Sequence, residues 1–167
     1  MELKEAFQKA LDFEEKGKEI YTEVAKTTFS PLVKKSFEFL AKEEEKHIVE
    51  IKGYIENENE NPNIELSGAK KDDVKDFFNM TVEEYKEGIE FSEDDVKAYE
   101  RAMELETDSY NFYKAQFAIA QDENLKKFFG FLMEQESAHY LMLEKTLKFI
   151  RDPQHFYADE EDWNFEG

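Results

Sequence analysis

Apolar residues recur every three or four positions along four stretches of this chain, which is the spacing of an amphipathic helix. The stretches cover about 2–28, 31–56, 92–120 and 123–150. The residues predicted to face inward are Leu3, Phe7, Ala10, Gly17, Tyr21, Val24, Val33, Phe37, Leu40, Ile51, Tyr54, Tyr99, Ala102, Tyr113, Gln116, Leu125, Phe129, Leu132, Leu143 and Ile150. The pattern therefore predicts four long helices that share one core.

The lengths of the connections predict how these helices are arranged. The first and second helices, and the third and fourth, are joined by short links, so each pair should form an antiparallel hairpin. The link at about 57–91 is long enough to cross the height of the bundle, and it contains "KKDDVKDFF" and "TVEEYKEG" as two candidate short helices. We therefore expect an all-α four-helix bundle over 1–150 with one crossover. The tail at 151–167 should pack on the bundle or on a second subunit.

The two predicted hairpins repeat each other. When the sequence is shifted by 92 residues, the segment 32–55 aligns with 124–147 without a gap, and 7 of 24 positions are identical. The same shift aligns 7–25 with 99–117, where Glu14 matches Glu106. One offset for both helices of a hairpin indicates duplication of a helical hairpin.

Several charged or ionisable side chains lie on the inward stripes, where apolar residues are expected. Each hairpin contributes one Glu from its first helix and a Glu-x-x-His pair from its second, and the set is Glu14, Glu44, His47, Glu106, Glu136 and His139. Unpaired buried carboxylates cost several kcal/mol, whereas two divalent cations would neutralise four of them. This is the ligand set of di-iron and di-manganese bundles. Oxygen and imidazole ligands suit iron or manganese. We expect iron, with manganese or zinc as alternatives.

Small and aromatic residues accompany these positions. Tyr21 and Tyr113 lie on the same face as the glutamates, where their hydroxyls could bond a carboxylate within the core or take part in redox chemistry. Gly17 and Ser109 lie one turn from the glutamates. Their small side chains either allow close packing of helices or leave room for metals and a small oxidant.

Other polar residues are predicted to lie outside the site. Glu15 and Glu43 fall off the inward stripes and should be solvated, and His155 belongs to the tail, where a surface position is expected.

The composition excludes several classes of partner and site. There are 41 acidic and 22 basic residues, for a net charge of −19, so nucleic acid and anionic membranes would repel this surface. There is no cysteine, which excludes disulfides, thiolate zinc sites and iron–sulfur clusters. No apolar run reaches the ~20 residues of a membrane span, and the N-terminus is no signal peptide. We therefore expect a cytoplasmic protein.

The motifs "FEEKGKEIY…EEEKH" and "LETDSYNFY…EQESAH" resemble the rubrerythrin group of the ferritin-like di-iron carboxylate superfamily. The resemblance covers about 2–150. It implies that one metal is held by Glu14, Glu44 and His47 and the other by Glu106, Glu136 and His139. It also implies that Glu44 and Glu136 bridge the two metals.

The chain departs from rubrerythrins in two ways. Rubrerythrins commonly end in a rubredoxin domain with four cysteine ligands, and this chain has no cysteine. Electrons would then come from an external carrier such as rubredoxin. Rubrerythrins also carry a further Glu one turn after the third-helix ligand, where this chain has Ser109. Family analogy further implies a homodimer, in which the link at 57–91 could exchange hairpins between subunits.

Three functions are consistent with this sequence. The first is a non-haem di-iron oxidoreductase that reduces peroxide or O₂ in defence against oxidative stress. The second is a ferritin-type ferroxidase that handles iron, which would require a closed shell of subunits. The third is a bundle in which metals only stabilise the fold, and a further alternative is an oxygenase that acts on organic substrates.

Overall fold

The computed structural model describes residues 2–57, 71–85 and 88–153. Within these ranges the chain forms five α-helices and no strand. Their bounds are α1 Leu3–Thr27, α2 Pro31–Asn57, α3 Lys71–Glu84, α4 Glu93–Ile119 and α5 Glu123–Arg151. The four long helices agree with the predicted stretches, so the all-α class is confirmed. No helix in the described part of the chain is long and apolar enough to cross a membrane.

Each long helix runs antiparallel to its partner in the hairpin and to one long helix of the other hairpin. Within the first hairpin, Phe7 packs on Tyr54 at 5.4 Å and Tyr21 packs on Phe37 at 5.7 Å between ring centroids. The residue numbers rise along one helix as they fall along the other.

The same inverse order holds between the hairpins. Tyr21 of α1 bonds Glu106 of α4, and Tyr113 of α4 bonds Glu14 of α1. On the opposite side of the bundle, Tyr54 of α2 stacks on Phe128 of α5. These contacts confirm the up-down-down-up bundle with a crossover between α2 and α4.

The apolar core divides into two clusters with a polar layer between them. One cluster contains Phe7, Ala10, Ile51, Tyr54, Tyr113, Phe128, Phe129 and Leu132. The larger cluster, at the other end of the bundle, includes Tyr21, Phe37, Leu40, Tyr99, Ala102 and Leu143. Aromatic rings make up most of the smaller cluster and aliphatic side chains most of the larger one, and both keep bulk water from the centre of the bundle. Leu3, which was predicted to face inward, is 37% exposed because it begins α1 beyond this packing.

The crossover contains one helix in its described part, where the sequence suggested two short ones. Val74, Phe78 and Val82 of α3 are buried in the larger core cluster, and Phe77 stacks on Phe39 of α2 at 4.1 Å between ring centroids. The apolar spacing of 74, 78 and 82 continues through both candidate segments, so one packed stripe joins them. The predicted tail and His155 lie outside the described residues, which end at 153.

Candidate metal centre

The six predicted ligand residues meet in the polar layer at the middle of the bundle. All six are at most 2% exposed. Each comes from the inward stripe of one of the four long helices, as the heptad positions predicted. The packing that buries the two apolar clusters on both sides therefore also buries four carboxyl groups and two imidazoles.

These residues form two overlapping groups whose candidate ligand atoms lie within 4.8 Å of one another. The first group is Glu14, Glu44, His47 and Glu136, and the second is Glu44, Glu106, Glu136 and His139. Glu44 and Glu136 belong to both groups. This geometry can accommodate two cations that share two carboxylates.

Both imidazoles turn the same ring nitrogen towards the carboxyl groups. His47 Nδ1 lies 3.2 Å from Glu14 Oε2 and 3.5 Å from Glu136 Oε1. His139 Nδ1 lies 3.7 Å from Glu44 Oε1 and 3.7 Å from Glu106 Oε1. The two rings are nearly parallel, with centroids 5.4 Å apart.

Several polar atoms of this cluster have no hydrogen-bond partner among the described residues. They are Glu106 Oε2, Glu136 Oε1, His139 Nδ1 and His139 Nε2. Buried polar atoms are nearly always satisfied in proteins, because leaving one unpaired costs free energy. Carboxylate oxygens and imidazole nitrogens are ligands that iron and manganese accept. The residues present therefore fit a di-metal centre.

The two tyrosines cross between the hairpins. Tyr21 Oη donates a hydrogen bond to Glu106 Oε1 at 2.7 Å, and Tyr113 Oη donates one to Glu14 Oε1 at 2.6 Å. Burial and the neighbouring carboxylates raise the pKa of both hydroxyls well above the usual value. Both therefore keep their protons and act as donors. This agrees with the prediction that their hydroxyls bond a carboxylate within the core.

The pKa values of the buried carboxyl groups move in different directions when metal is absent. Burial, followed by the charge of Glu14, raises the pKa of Glu44, and burial with the charge of Glu106 raises that of Glu136. Burial also acts to raise the pKa of Glu14, but the charge of His47 and several side-chain hydrogen bonds together lower it to about 2. The metal-free cluster thus keeps protons on its two shared carboxyl groups.

One prediction about neighbouring residues is wrong. Glu43 was expected to be solvated, but it is 2% exposed, whereas Glu15 is exposed as predicted. The cause is that α2 has neighbours on two sides, α1 and α5, so a second stripe next to the inward one is also buried. The carboxyl of Glu43 reaches within 4.8 Å of ring nitrogens of His47 and His139.

Gln135, the counterpart of Glu43 in the second hairpin, was not predicted to belong to the site. Its Oε1 lies 3.2 Å from His47 Nε2, so it can accept a hydrogen bond from that nitrogen while Nδ1 faces Glu14 and Glu136. Such partners orient metal-binding imidazoles. The 92-residue shift, which pairs Gln135 with Glu43, was the signal in the sequence that could have identified both residues.

Gly17 and Ser109 make the two shared carboxyl groups unequal. Ser109 Oγ donates a hydrogen bond to Glu136 Oε2 at 2.9 Å. Gly17 offers no hydroxyl to Glu44, and a Cβ at Gly17 would lie 3.3 Å from Glu44 Cδ. The duplicated site is therefore symmetric in its six candidate ligands but not in their surroundings.

A comparison with protein families agrees with this geometry, whereas two others find nothing. Neither the comparison with curated proteins nor that with solved structures finds a match. The family model described as Rubrerythrin matches residues 5–147, which include all six candidate ligands and both tyrosines. The chain therefore belongs to the rubrerythrin family.

Proposed function

We propose that this chain is a non-haem di-iron carboxylate oxidoreductase that reduces peroxide or O₂ in defence against oxidative stress. The observation that carries the proposal is the pair of overlapping ligand groups that share Glu44 and Glu136. Two metals held by one pair of carboxylates lie close enough to act together on a small oxidant. A mixed or di-manganese centre would use the same ligands.

Each of the six residues has a defined part in this proposal. Glu14 and His47 would hold one metal, and Glu106 and His139 the other. Glu44 and Glu136 would bridge, and four carboxylates would balance the charge of two divalent ions. Bound Fe(II) would supply two electrons that break the O–O bond of peroxide, which takes up two protons and leaves as two waters.

The surrounding residues position these ligands and keep water out. Tyr21 and Tyr113 donate hydrogen bonds to Glu106 and Glu14, the two candidate glutamate ligands that are not shared. Gln135 can hold the outer nitrogen of His47. The two apolar clusters on either side of the polar layer exclude bulk water, which strengthens the attraction between carboxylates and cations.

Elemental analysis followed by stopped-flow oxidation tests the proposal. Native protein should contain two metals per chain, mainly iron. Protein loaded with Fe(II) without air should be reoxidised by peroxide or by O₂, and mixing with each separately identifies the preferred oxidant. A di-iron protein that neither oxidant reoxidises would refute the oxidoreductase. If it also keeps two metals, they serve only to stabilise the bundle.

The assembly and the electron donor are separate parts of the proposal. We propose a homodimer, with or without exchange of hairpins, that receives electrons from an external carrier such as rubredoxin. Size-exclusion chromatography with light scattering should give twice the chain mass of 19.9 kDa. A large closed shell would instead favour the ferritin-type ferroxidase. Reduction of the oxidised centre by added rubredoxin, followed by absorbance, tests the carrier.

A further inference from the structure

A cavity of about 190 Å³ lies between α4 and α5 and reaches the metal centre. Two candidate ligands, the buried Glu106 and Glu136, form part of its wall, and exposed Thr107 lies at its outer edge. The full lining is Glu106, Thr107, Tyr110, Glu136, Ser137 and Tyr140. The cavity therefore extends from exposed Thr107 to the side chains of two candidate ligands, Glu106 and Glu136.

The matching surface of the first hairpin is built differently. Shifting by 92 residues replaces the four remaining lining residues by charged or aliphatic ones, namely Glu15, Lys18, Glu45 and Ile48. Lys18 and Glu45 form an ion pair between α1 and α2, and Ile48 is 6% exposed. A groove on that side has no candidate ligand residue in its lining. The ion pair and Ile48 therefore cover the side of the centre that corresponds to the cavity.

We propose that small uncharged oxidants reach the centre through this α4–α5 cavity and not through the α1–α2 side. The proposal rests on the proposed function and specifies the path by which its small oxidant reaches the centre. The four residues that line the cavity besides Glu106 and Glu136 carry hydroxyls and no charge. They can bond a peroxide, while the net charge of −19 disfavours anions.

The size of the cavity sets an upper limit on its ligand. A water molecule occupies about 30 Å³ of liquid, so 190 Å³ holds peroxide together with a few waters. An organic hydroperoxide with an aromatic ring would need Tyr110 or Tyr140 to move. The geometry thus favours hydrogen peroxide over bulky hydroperoxides.

Narrowing the cavity tests the route. We would introduce Ser137→Phe and Thr107→Trp, with Glu45→Phe and Glu15→Trp as matched controls at the equivalent positions of the first hairpin. The readout is the rate at which nitric oxide, a small uncharged probe, associates with the Fe(II)-loaded protein. We expect the two narrowing variants to slow association by about tenfold, equivalent to about 1.4 kcal/mol in barrier. The controls should match the parent, and circular dichroism and iron content should match in all.

Widening the cavity provides a test that does not depend on the bulky variants folding. Tyr140→Ala should speed reoxidation by cumene hydroperoxide relative to hydrogen peroxide, while Lys52→Ala, an exposed position in the groove on the α1–α2 side, should not. Equal effects of matched variants on the two sides, or no effect at the α4–α5 side, would overturn the proposed route.

The nitric oxide measurement separates the two proposals. One-sided binding in a protein that no oxidant reoxidises would keep the route and refute the enzyme. Reoxidation by peroxide with rates that none of the variants changes would refute the route and keep the enzyme. A chain that binds no Fe(II) would refute both.

Discussion

Glu44 and Glu136 are the residues on which the proposed metal centre would most depend, because each belongs to both candidate ligand groups. In the metal-free protein burial raises the pKa of both, so they are held protonated. Their deprotonated form is the one that binds a cation. A substitution at either position can therefore separate stability of the bundle from metal binding.

We expect Glu136→Gln to weaken metal binding without destabilising the metal-free bundle. Glutamine has the shape of the protonated side chain, so the free energy of unfolding without metal should stay within about 1 kcal/mol of the parent. Loss of a shared ligand should lower metal affinity at least about tenfold, which removes about 1.4 kcal/mol of the stabilisation by metal. Elemental analysis and urea unfolding with and without metal measure both effects. Equal metal affinity in variant and parent would contradict this role, and exposed Glu15→Gln is the control.

Gly17 offers a second test at a single residue. Alanine is favoured over glycine within helices by about 1 kcal/mol, but a Cβ here would lie 3.3 Å from Glu44 Cδ. Without metal the Glu44 side chain can shift and Gly17→Ala should stabilise the protein. With metal bound, Glu44 is held and the gain should disappear. Thermal unfolding in both states measures this.

Gly53 is the matched control for Gly17, since a Cβ there meets nothing within 4 Å. Gly53→Ala should give the same stabilisation, up to about 1 kcal/mol, with and without metal. If Gly17→Ala also stabilises the metal-bound protein by this amount, Glu44 does not hold the metal in the proposed way.

The long helices are positioned by their ends as well as by their core faces. Ser92 Oγ accepts a hydrogen bond from Asp95 N, and Asp95 Oδ2 accepts one from Ser92 N, which completes a capping box at the start of α4. Asp95 Oδ1 also accepts a hydrogen bond from Thr28 Oγ1 at 2.7 Å. The N-terminus of α4 is thereby tied to the end of α1, the helix that it meets at the metal centre.

We expect Asp95→Ala to cost more stability than Ser92→Ala. The serine variant loses one cap, about 1 kcal/mol, whereas the aspartate variant loses two hydrogen bonds of about 1 kcal/mol each. Urea midpoints at constant slope give the difference. Asp94→Ala, an exposed residue of the same turn, should change little. Equal losses in the Ser92 and Asp95 variants would show that the bond to Thr28 contributes nothing.

At the scale of the whole molecule, protons and metal ions would compete for the carboxyl oxygens of the buried glutamates. Glu44, Glu106 and Glu136 all have a raised pKa, chiefly because of burial. The folded, metal-free protein therefore binds more protons than the unfolded chain above the usual carboxyl value of 4.5. Their contribution to stability is complete below that value and is lost as the pH rises through the raised pKa values. Glu14, with its pKa lowered to about 2, acts in the opposite sense below 4.5.

We predict that bound metal removes the part of this pH dependence that comes from the carboxyl groups. The metal-free protein should become less stable between mildly acidic and mildly alkaline buffer, because its carboxyl groups must give up protons while buried. Metal affinity should rise over the same interval, since binding displaces those protons. Calorimetric titration with Zn²⁺ in buffers of different ionisation enthalpy measures proton release. If metal binding releases no protons, the shared carboxyl groups are not protonated in the metal-free state.

Much of the fold could be predicted because its signals are local or periodic. The stripe through Phe37, Leu40, Glu44, His47 and Ile51 places apolar and ionisable residues on one face whatever the neighbouring helix is. Glu43 was missed because its burial depends on a second neighbour, which a single heptad stripe does not specify. The sequence predicted two short helices in the crossover where the structure has one. The stripe of Val74, Phe78 and Val82 spans only a few turns, and it is recognised as one element once it packs against α5 while Phe77 packs on α2.

The sequence by itself determined the four long helices, the duplication, and the six ionisable residues at core positions, since all of these follow from spacing along the chain. The tertiary structure alone decided which side chains of different helices contact each other. It crossed Tyr21 and Tyr113 to the opposite hairpin, buried Glu43, brought Gln135 to His47 and opened a cavity on one side of the centre. The physical reason is that burial and hydrogen bonding depend on the neighbours of each helix in three dimensions, and periodicity describes only one helix at a time.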